Sequence, residues 1–332
     1  MRPITEPPSE VVMARFRSGF GRRFILTVET EGEYDRSGPI RRDGHGLAHL
    51  PRLAKFQQFC ENEDVCPVYL VDYPVATSAL AADILREPVA KGRAEIGIQI
   101  HQEDDSPHQG EGEQERKPFA TAVPGEVERA KLNRLRMEIE RNFDALPQIY
   151  RAGRSGPGPH VGDMLRDSGI AMDSSVRPKF DLRGEGGADF SHHPLGPYWL
   201  DAERSLLELP LTTVYWGMLR KQGNLLYPRV RHSPRLQSFL ARLGLLSRIP
   251  LTPACIDVEE AIQGIDIALD DGLPLLVFSF HGSSLRRGGP RSEGEEDDPD
   301  RLYDWWGRVF AYLAARGVPP TNVREIMSFV EV

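Results

Sequence analysis

Glu29 and Glu31 stand two residues apart in the run ILTVETE, so on an extended strand both carboxylates project from one face. Such a pair can take up a proton or bind a metal ion. A second apolar run, AEIGIQIH, stops on Gln99 and His101, and a third, LPLLVFSFH, stops on His281. QIYRAGR presents Arg151 and Arg154, GIAMDSS presents Asp173, and LLELPLTT ends on Thr212 and Thr213. One polar strand end says little. A carboxylate pair, two histidines, arginines and an aspartate at successive strand ends could make a metal-assisted hydrolytic site.

Those residues need a scaffold that gathers strand ends. β-Branched or apolar runs at RFILTVETE, VCPVYLVDYP, AEIGIQIH, PQIYRAG, GIAMDSSV, LLELPLTTV and LPLLVFSFH read as strands. Between and after them, LPRLAKFQQFCENED, VATSALAADILREPVAKG, PGEVERAKLNRLRMEIERNF, residues 158–168, PRLQSFLARLGLL, DVEEAIQGIDIALDDG and DRLYDWWGRVFAYLAARG show helical spacing. Alternation of this kind predicts a parallel α/β architecture, and the number of units favours a TIM-like barrel over an open sheet. In such folds chemistry collects at the C-terminal ends of the strands. No glycine-rich phosphate loop follows the first strand, which weakens a nucleotide-binding reading. Residues 1–22 read as a partly mobile lead-in. Residues 23–332 read as one barrel domain with acidic loops at 102–117 and 286–300.

The chain has 332 residues, 40% hydrophobic, with a formal net charge of −8. That balance argues against a general nucleic-acid or anionic-membrane binder. No apolar run approaches the length of a membrane span, and the first residues lack the apolar core of a secretory signal. Three cysteines at unpaired spacings fit a reduced, cytoplasmic protein.

Taken in order over residues 24–285, the motifs resemble those of the polysaccharide deacetylases. This is the NodB-homology group, also called carbohydrate esterase family 4, and the nearer resemblance is to its WalW-type branch. LTVETEG stands where the family has T-F-D-D-G, and CPVYLVDYPVA resembles its P-T-F-F-V strand. EIGIQIH stands where the family has E-I-G-x-H-x-x-x-H, and YRAGRSG resembles R-x-P-Y-G. DSSVRP resembles the fourth motif, while LLELPLTT and FSFHGSSL match late segments.

The resemblance implies a distorted TIM-like (β/α)7 barrel that removes an acyl group from an N-acylated sugar with the help of a divalent metal. Zinc is the first expectation, nickel, cobalt or manganese the alternatives, and a metal-free site remains a further one. Carried over residue by residue, Glu29 becomes the catalytic base, and Glu31 and His101 become metal ligands. Arg151 orients the base, His281 is the general acid, and Asp173 fixes its tautomer. Gln99, Arg154, Thr212 and Thr213 become substrate contacts.

This chain departs from the family pattern. Glutamates replace its first aspartates, Gln99 and Glu103 replace its histidine pair, and the third metal ligand is unassigned among Asp35, His45, His49 and His108. The partner implied is a carbohydrate, with no nucleic acid and no membrane span. Two other readings accompany this one: a degenerate barrel that binds a saccharide or a partner, and a small-molecule amidohydrolase. Tyr198 and Trp199 are candidates for a sugar platform, loop packing being the competing role. The SHHP stretch reads as structural or surface, and one of Trp305 and Trp306 reads as core.

Overall fold

The structure is a computed structural model that describes residues 3–8, 12–32, 46–100, 125–153, 156–185, 187–231, 233–286 and 299–332. Seven parallel strands form the body. They are β1 (Arg23–Thr30), β2 (Val68–Val71), β3 (Glu95–Ile100), β4 (Ile149–Ala152), β5 (Met172–Asp173), β7 (Leu207–Glu208) and β10 (Leu275–His281). The sheet order is β10-β1-β2-β3-β4-β5-β7, and a short β6 (Tyr198–Trp199) adds antiparallel to β7. A hairpin of β8 (Thr213–Trp216) and β9 (Ser247–Pro250) stands apart.

The crossovers are α1 (Leu50–Asn62), α2 (Tyr73–Ala76) with α3 (Ala79–Ala90), α4 (Gly125–Phe143) and α5 (Val161–Asp167). Between β8 and β9 lie α6 (Gly223–Val230) and α7 (Pro234–Arg242). After β9 come α8 (Val258–Asp270), α9 (Pro299–Ala315) and α10 (Val323–Phe329). This is the distorted (β/α)7 barrel expected from the sequence. No helix among the described residues is long and apolar enough to cross a membrane.

The period-two rule explains how the barrel is filled. Along β10, Leu276, Phe278 and Phe280 face the helices and join the large core with Phe56 and Trp306. Leu275 and Val277 face inward and pack with Ile25, Val68, Leu70, Ile149 and Met172. The lower end is plugged by Phe20, Val323, Ile326 and Val330. Further up the same inward rows, the side chains turn polar.

Gly97 belongs to this interior. A Cβ there would lie 2.6 Å from both Ile149 Cγ2 and Leu70 Cδ2, so the barrel closes around the missing side chain.

Sheet hydrogen bonding stops between β7 and β10, and an irregular segment spans the gap. Leu209 N donates to Asp173 O (2.7 Å), Leu211 N to Val176 O (3.0 Å) and Thr212 N to Val277 O (3.1 Å). The Thr212 hydroxyl accepts from Val277 N at 2.8 Å, standing in for a backbone carbonyl.

Sequence and structure part at several places. LLELPLTTV reads as one strand but is two, β7 and β8, broken at Pro210, which has no N–H for a ladder. VATSALAADILREPVAKG divides where Ser78 caps α3 by accepting from Ala81 N. Helix α6 and strand β9 escape the sequence pattern. Ile4 is buried, and Arg17 N donates to Phe329 O.

Candidate active site

Strand register assembles the site. Glu29 on β1 lies directly beside His281 on β10, and Gln99 on β3 beside Arg151 on β4. All four are inward-facing and sit at strand C-termini. Gly32 N donates to Asp72 Oδ2 at 2.6 Å, which clamps the chain just after Glu31 to the end of β2. Asp72 is anchored in turn as the N-cap of α2.

Glu29 is 4% exposed and fully engaged. Its Oε1 accepts from Arg151 Nη1 (3.1 Å) and Ser279 Oγ (2.9 Å), and its Oε2 from Gln99 Nε2 (3.2 Å). Burial alone would raise the pKa of this carboxyl. The charges of His281, Arg151 and Arg177 outweigh it and hold the pKa at about 2. Arg151, 1% exposed, is itself held by Ser174 O (2.8 Å), Ser174 Oγ (2.9 Å) and Ser279 Oγ (2.6 Å). The expected pairing of Arg151 with Glu29 is therefore present, inside a buried network.

Gln99 is oriented by chemistry. Its amide N–H side must face the Glu29 carboxylate, because its oxygen would be repelled there. Its function is thus to hold Glu29, and the Gln99 oxygen has no hydrogen-bond partner among the described residues.

His281 sits between two carboxylates. Its Nδ1 is 3.2 Å from Glu31 Oε1 and 3.7 Å from Glu29 Oε2. The charge on Glu29 raises the pKa of the imidazole above 6.5, burial opposes this, and the contact of the Nδ1–H with the Glu31 carboxylate adds to it. With Nδ1 turned to these carboxylates, Nε2 is the ring nitrogen left for a ligand.

Asp173, expected to fix this tautomer, does not do so. It accepts from Ser175 Oγ (2.6 Å) and Ser175 N (3.3 Å) and meets the carboxyl of Glu208, its register partner on β7. Both carboxyls are wholly buried. Burial, and then the charge of Asp173, pushes Glu208 well above the usual carboxylate range, so Glu208 carries the shared proton. Its Oε1 accepts from Val176 N at 3.1 Å. The carboxylate facing His281 Nδ1 is Glu31, just past β1 and next to β10, whereas Asp173 lies on β5, four strands along the sheet from β1.

A cleft of about 670 Å³, counted to its open mouth, adjoins the cluster. Its polar lining includes Glu29, Arg177, Thr213, Ser279 and His281, and its apolar wall includes Phe180, Leu211, Pro250, Leu251 and Ala254. Arg177 is 39% exposed, with Nη2 3.9 Å from Glu29 Oε1, beyond hydrogen-bond reach. Its backbone is fixed by Val176, whose N–H and C=O are both bonded, and by Pro178. Thr212 also lines the cleft, but its hydroxyl oxygen is committed to Val277 N, so its role is closure of the barrel.

The metal expectation fares differently. His101, Arg154, Asp35, His45, His108, loop 102–117 and residues 287–298 of the second acidic loop lie outside the described residues. Among the described residues no three His, Cys, Asp or Glu side chains gather in a way that could hold a metal ion. Glu29 accepts three hydrogen bonds and Glu31 is turned to His281. The donors that are described do not form a metal centre.

Tyr198 and Trp199 are buried in the fold and cannot serve as an open sugar platform. His193 is buried against Ile4 O at 3.2 Å, the structural role expected of SHHP, and Trp305 and Trp306 are both core. Sequence reasoning missed Ser279, Arg177, Asp72 and Glu208. The signal for Ser279 was available, since it lies two residues before His281 and so on its face. DSSVRP contained Arg177 without marking it out.

No protein family's sequence pattern matches the chain, and no curated protein sequence matches it. Solved structures do resemble it. Puue allantoinase matches with a TM-score of 0.51 at 13% identity, over 97% of this chain and 92% of that one. Two proteins assigned as polysaccharide deacetylases also align. One is from Mycobacterium smegmatis (TM-score 0.48, 15% identity, 96% and 98% of the two chains). The other is from Pseudomonas aeruginosa PAO1 (TM-score 0.49, 15% identity, 93% and 90%). At these identities the likeness is one of fold, and the chemistry has to be argued from the site.

Proposed function

We propose that this chain is a hydrolase that cleaves the carbon–nitrogen bond of an N-acylated sugar or saccharide intermediate. The observation that carries the reading is His281, set between Glu31 and Glu29 on the wall of the cleft. Neutral His281 takes a proton from water at Nε2 while the water oxygen bonds to the acyl carbon. The imidazolium that results is stabilised by the two carboxylates at Nδ1. Negative charge that gathers on the former carbonyl oxygen meets the Arg177 guanidinium across the cleft. As the tetrahedral intermediate collapses, the C–N bond breaks and the leaving nitrogen takes the proton back from Nε2. The products are a carboxylate and an amine.

In this scheme Glu29 is an electrostatic anchor and not the base, because a carboxylate with a pKa of about 2 accepts a proton poorly near neutral pH. No step passes through a metal. Motif order supports the saccharide class of substrate, and the fold is compatible with it.

A second reading, binding without cleavage, is favoured by one feature: both Glu29 oxygens are already filled. Incubation with N-acetylated sugars and chitooligosaccharides, with acetate release followed, separates the two. Release by wild type that His281→Ala abolishes is expected. Saccharide binding with no release in any buffer would establish the second reading. Activity that a chelator removes and zinc restores would refute the metal-free scheme.

A further inference from the structure

The hairpin insertion that carries α6 and α7 differs in chemistry from the rest of the chain. Residues 209–256 hold seven Lys and Arg and no Asp or Glu, in a chain whose acidic residues outnumber basic ones 49 to 41. Five of the nine large hydrophobic side chains exposed among the described residues lie here: Met218, Leu225, Leu236, Phe239 and Leu243. Whole-chain charge conceals this island.

Helix α7 concentrates the effect. None of its described side chains is buried. Leu236, Phe239 and Leu243 recur at helical spacing, so they form a stripe in solvent, with Arg235 and Arg242 along one edge. Met218 N donates to Gly244 O at 3.0 Å, which sets Met218 beside the end of that stripe. Inside the insertion a small cluster of Tyr215, Tyr227 and Leu246, flanked by Leu226 and Val230, forms a separate apolar centre, while Val214 and Ile249 of the hairpin join the main core. Arg231 pairs with Asp181 and Arg220 with Asp271, whereas Arg235 and Arg242 have no acidic partner among the described residues.

We propose that this face docks on the surface of an anionic lipid bilayer. Apolar side chains bordered by arginines suit a membrane interface, where the former enter the acyl boundary and the latter meet phosphate headgroups. A nucleic acid would leave the leucine and phenylalanine stripe without a counterpart. A second copy through the same face would bring like charges together. The acidic stretch QEDDSPHQGEGEQERK of this chain has the right charge but no large apolar residue to cover the stripe. The insertion joins the barrel through Thr213 and Pro250, which line the cleft.

The test is co-sedimentation of the full chain with vesicles of phosphatidylcholine alone or mixed with phosphatidylglycerol, with thermal melts to check folding. Wild type is expected to pellet with the anionic vesicles and to be released by salt. Leu236→Ser with Phe239→Ser, and separately Arg235→Gln with Arg242→Gln, should each weaken partitioning on the order of tenfold or more. Failure to pellet, equal pelleting with neutral vesicles, or full retention by either folded double variant would overturn the proposal. So would a dimer in sedimentation equilibrium that the Leu236 and Phe239 substitutions dissolve. Hydrolytic activity is not part of the readout, so this proposal and the hydrolase reading stand or fall separately.

Discussion

Arg151→Met keeps an unbranched side chain in the barrel while deleting the charge and every donor that Arg151 supplies. Glu29 would then face burial with only His281 and the more distant Arg177 to hold its charge. Its fall from 4.5 to about 2 is worth about 3 kcal/mol at ~1.4 kcal/mol per pH unit, and Arg151 is one of three cations that produce it. Ser174 O, Ser174 Oγ and Ser279 also lose their partner. The expected total loss is about 3–5 kcal/mol at neutral pH, the range for breaking a buried pair by removing one member.

The loss has a pH signature. A carboxyl whose folded pKa is depressed stabilises the fold above its unfolded value of 4.5 and loses that contribution as pH falls towards 2. The stability gap between wild type and variant should therefore be widest at pH 6–8 and narrow steadily below pH 4.5. Urea unfolding across this range measures it. A gap under about 1 kcal/mol at neutral pH, or one that stays level as pH falls, would refute the claim that the Arg151 charge holds Glu29.

Other outcomes are equally specific. Glu208→Gln keeps the acceptor for Val176 N and replaces the shared proton with an amide donor to Asp173. A carboxyl with a raised folded pKa favours the fold below its unfolded pKa and loses this as pH rises, so wild type should weaken from pH 5 to pH 9. The variant should hold level and be the more stable of the two at alkaline pH, and thermal melts over that range would show it. For substrates that are cleaved, kcat/KM should rise with pH through a value above the ordinary 6.5, since the neutral form of His281 is required. An activity that falls across that range would instead assign His281 as acid from the outset. Gly97→Ala should cost about 1–3 kcal/mol by overpacking against Ile149 and Leu70, read by denaturant midpoint.

Some of this molecule is written locally. The period of two in RFILTVET and LLVFSFH puts Thr27 and Glu29 on one face of β1, and Ser279 and His281 on one face of β10, whatever their neighbours are. The helical spacing of α1, α4, α8 and α9, and the polar residues that end strand after strand, are equally local, and they suffice for a parallel barrel with its chemistry at one end. Pairing across the sheet is not local. Two strands as distant in the chain as β1 and β10 become neighbours only because every crossover returns to the same sheet, and that register sets His281 against Glu29. Asp173 illustrates the consequence. Its strand end is legible, but whether it meets His281 or Glu208 depends on which strand lies next to it, and that strand is β7. The same holds for Thr212, whose hydroxyl was claimed by the gap between β7 and β10, and for Arg177, whose worth comes from facing a cleft that no single segment contains. Side-chain direction follows from chain chirality and period. Partnership, and with it the charge state of Glu29 and of Glu208, follows from tertiary proximity and the loss of water around it.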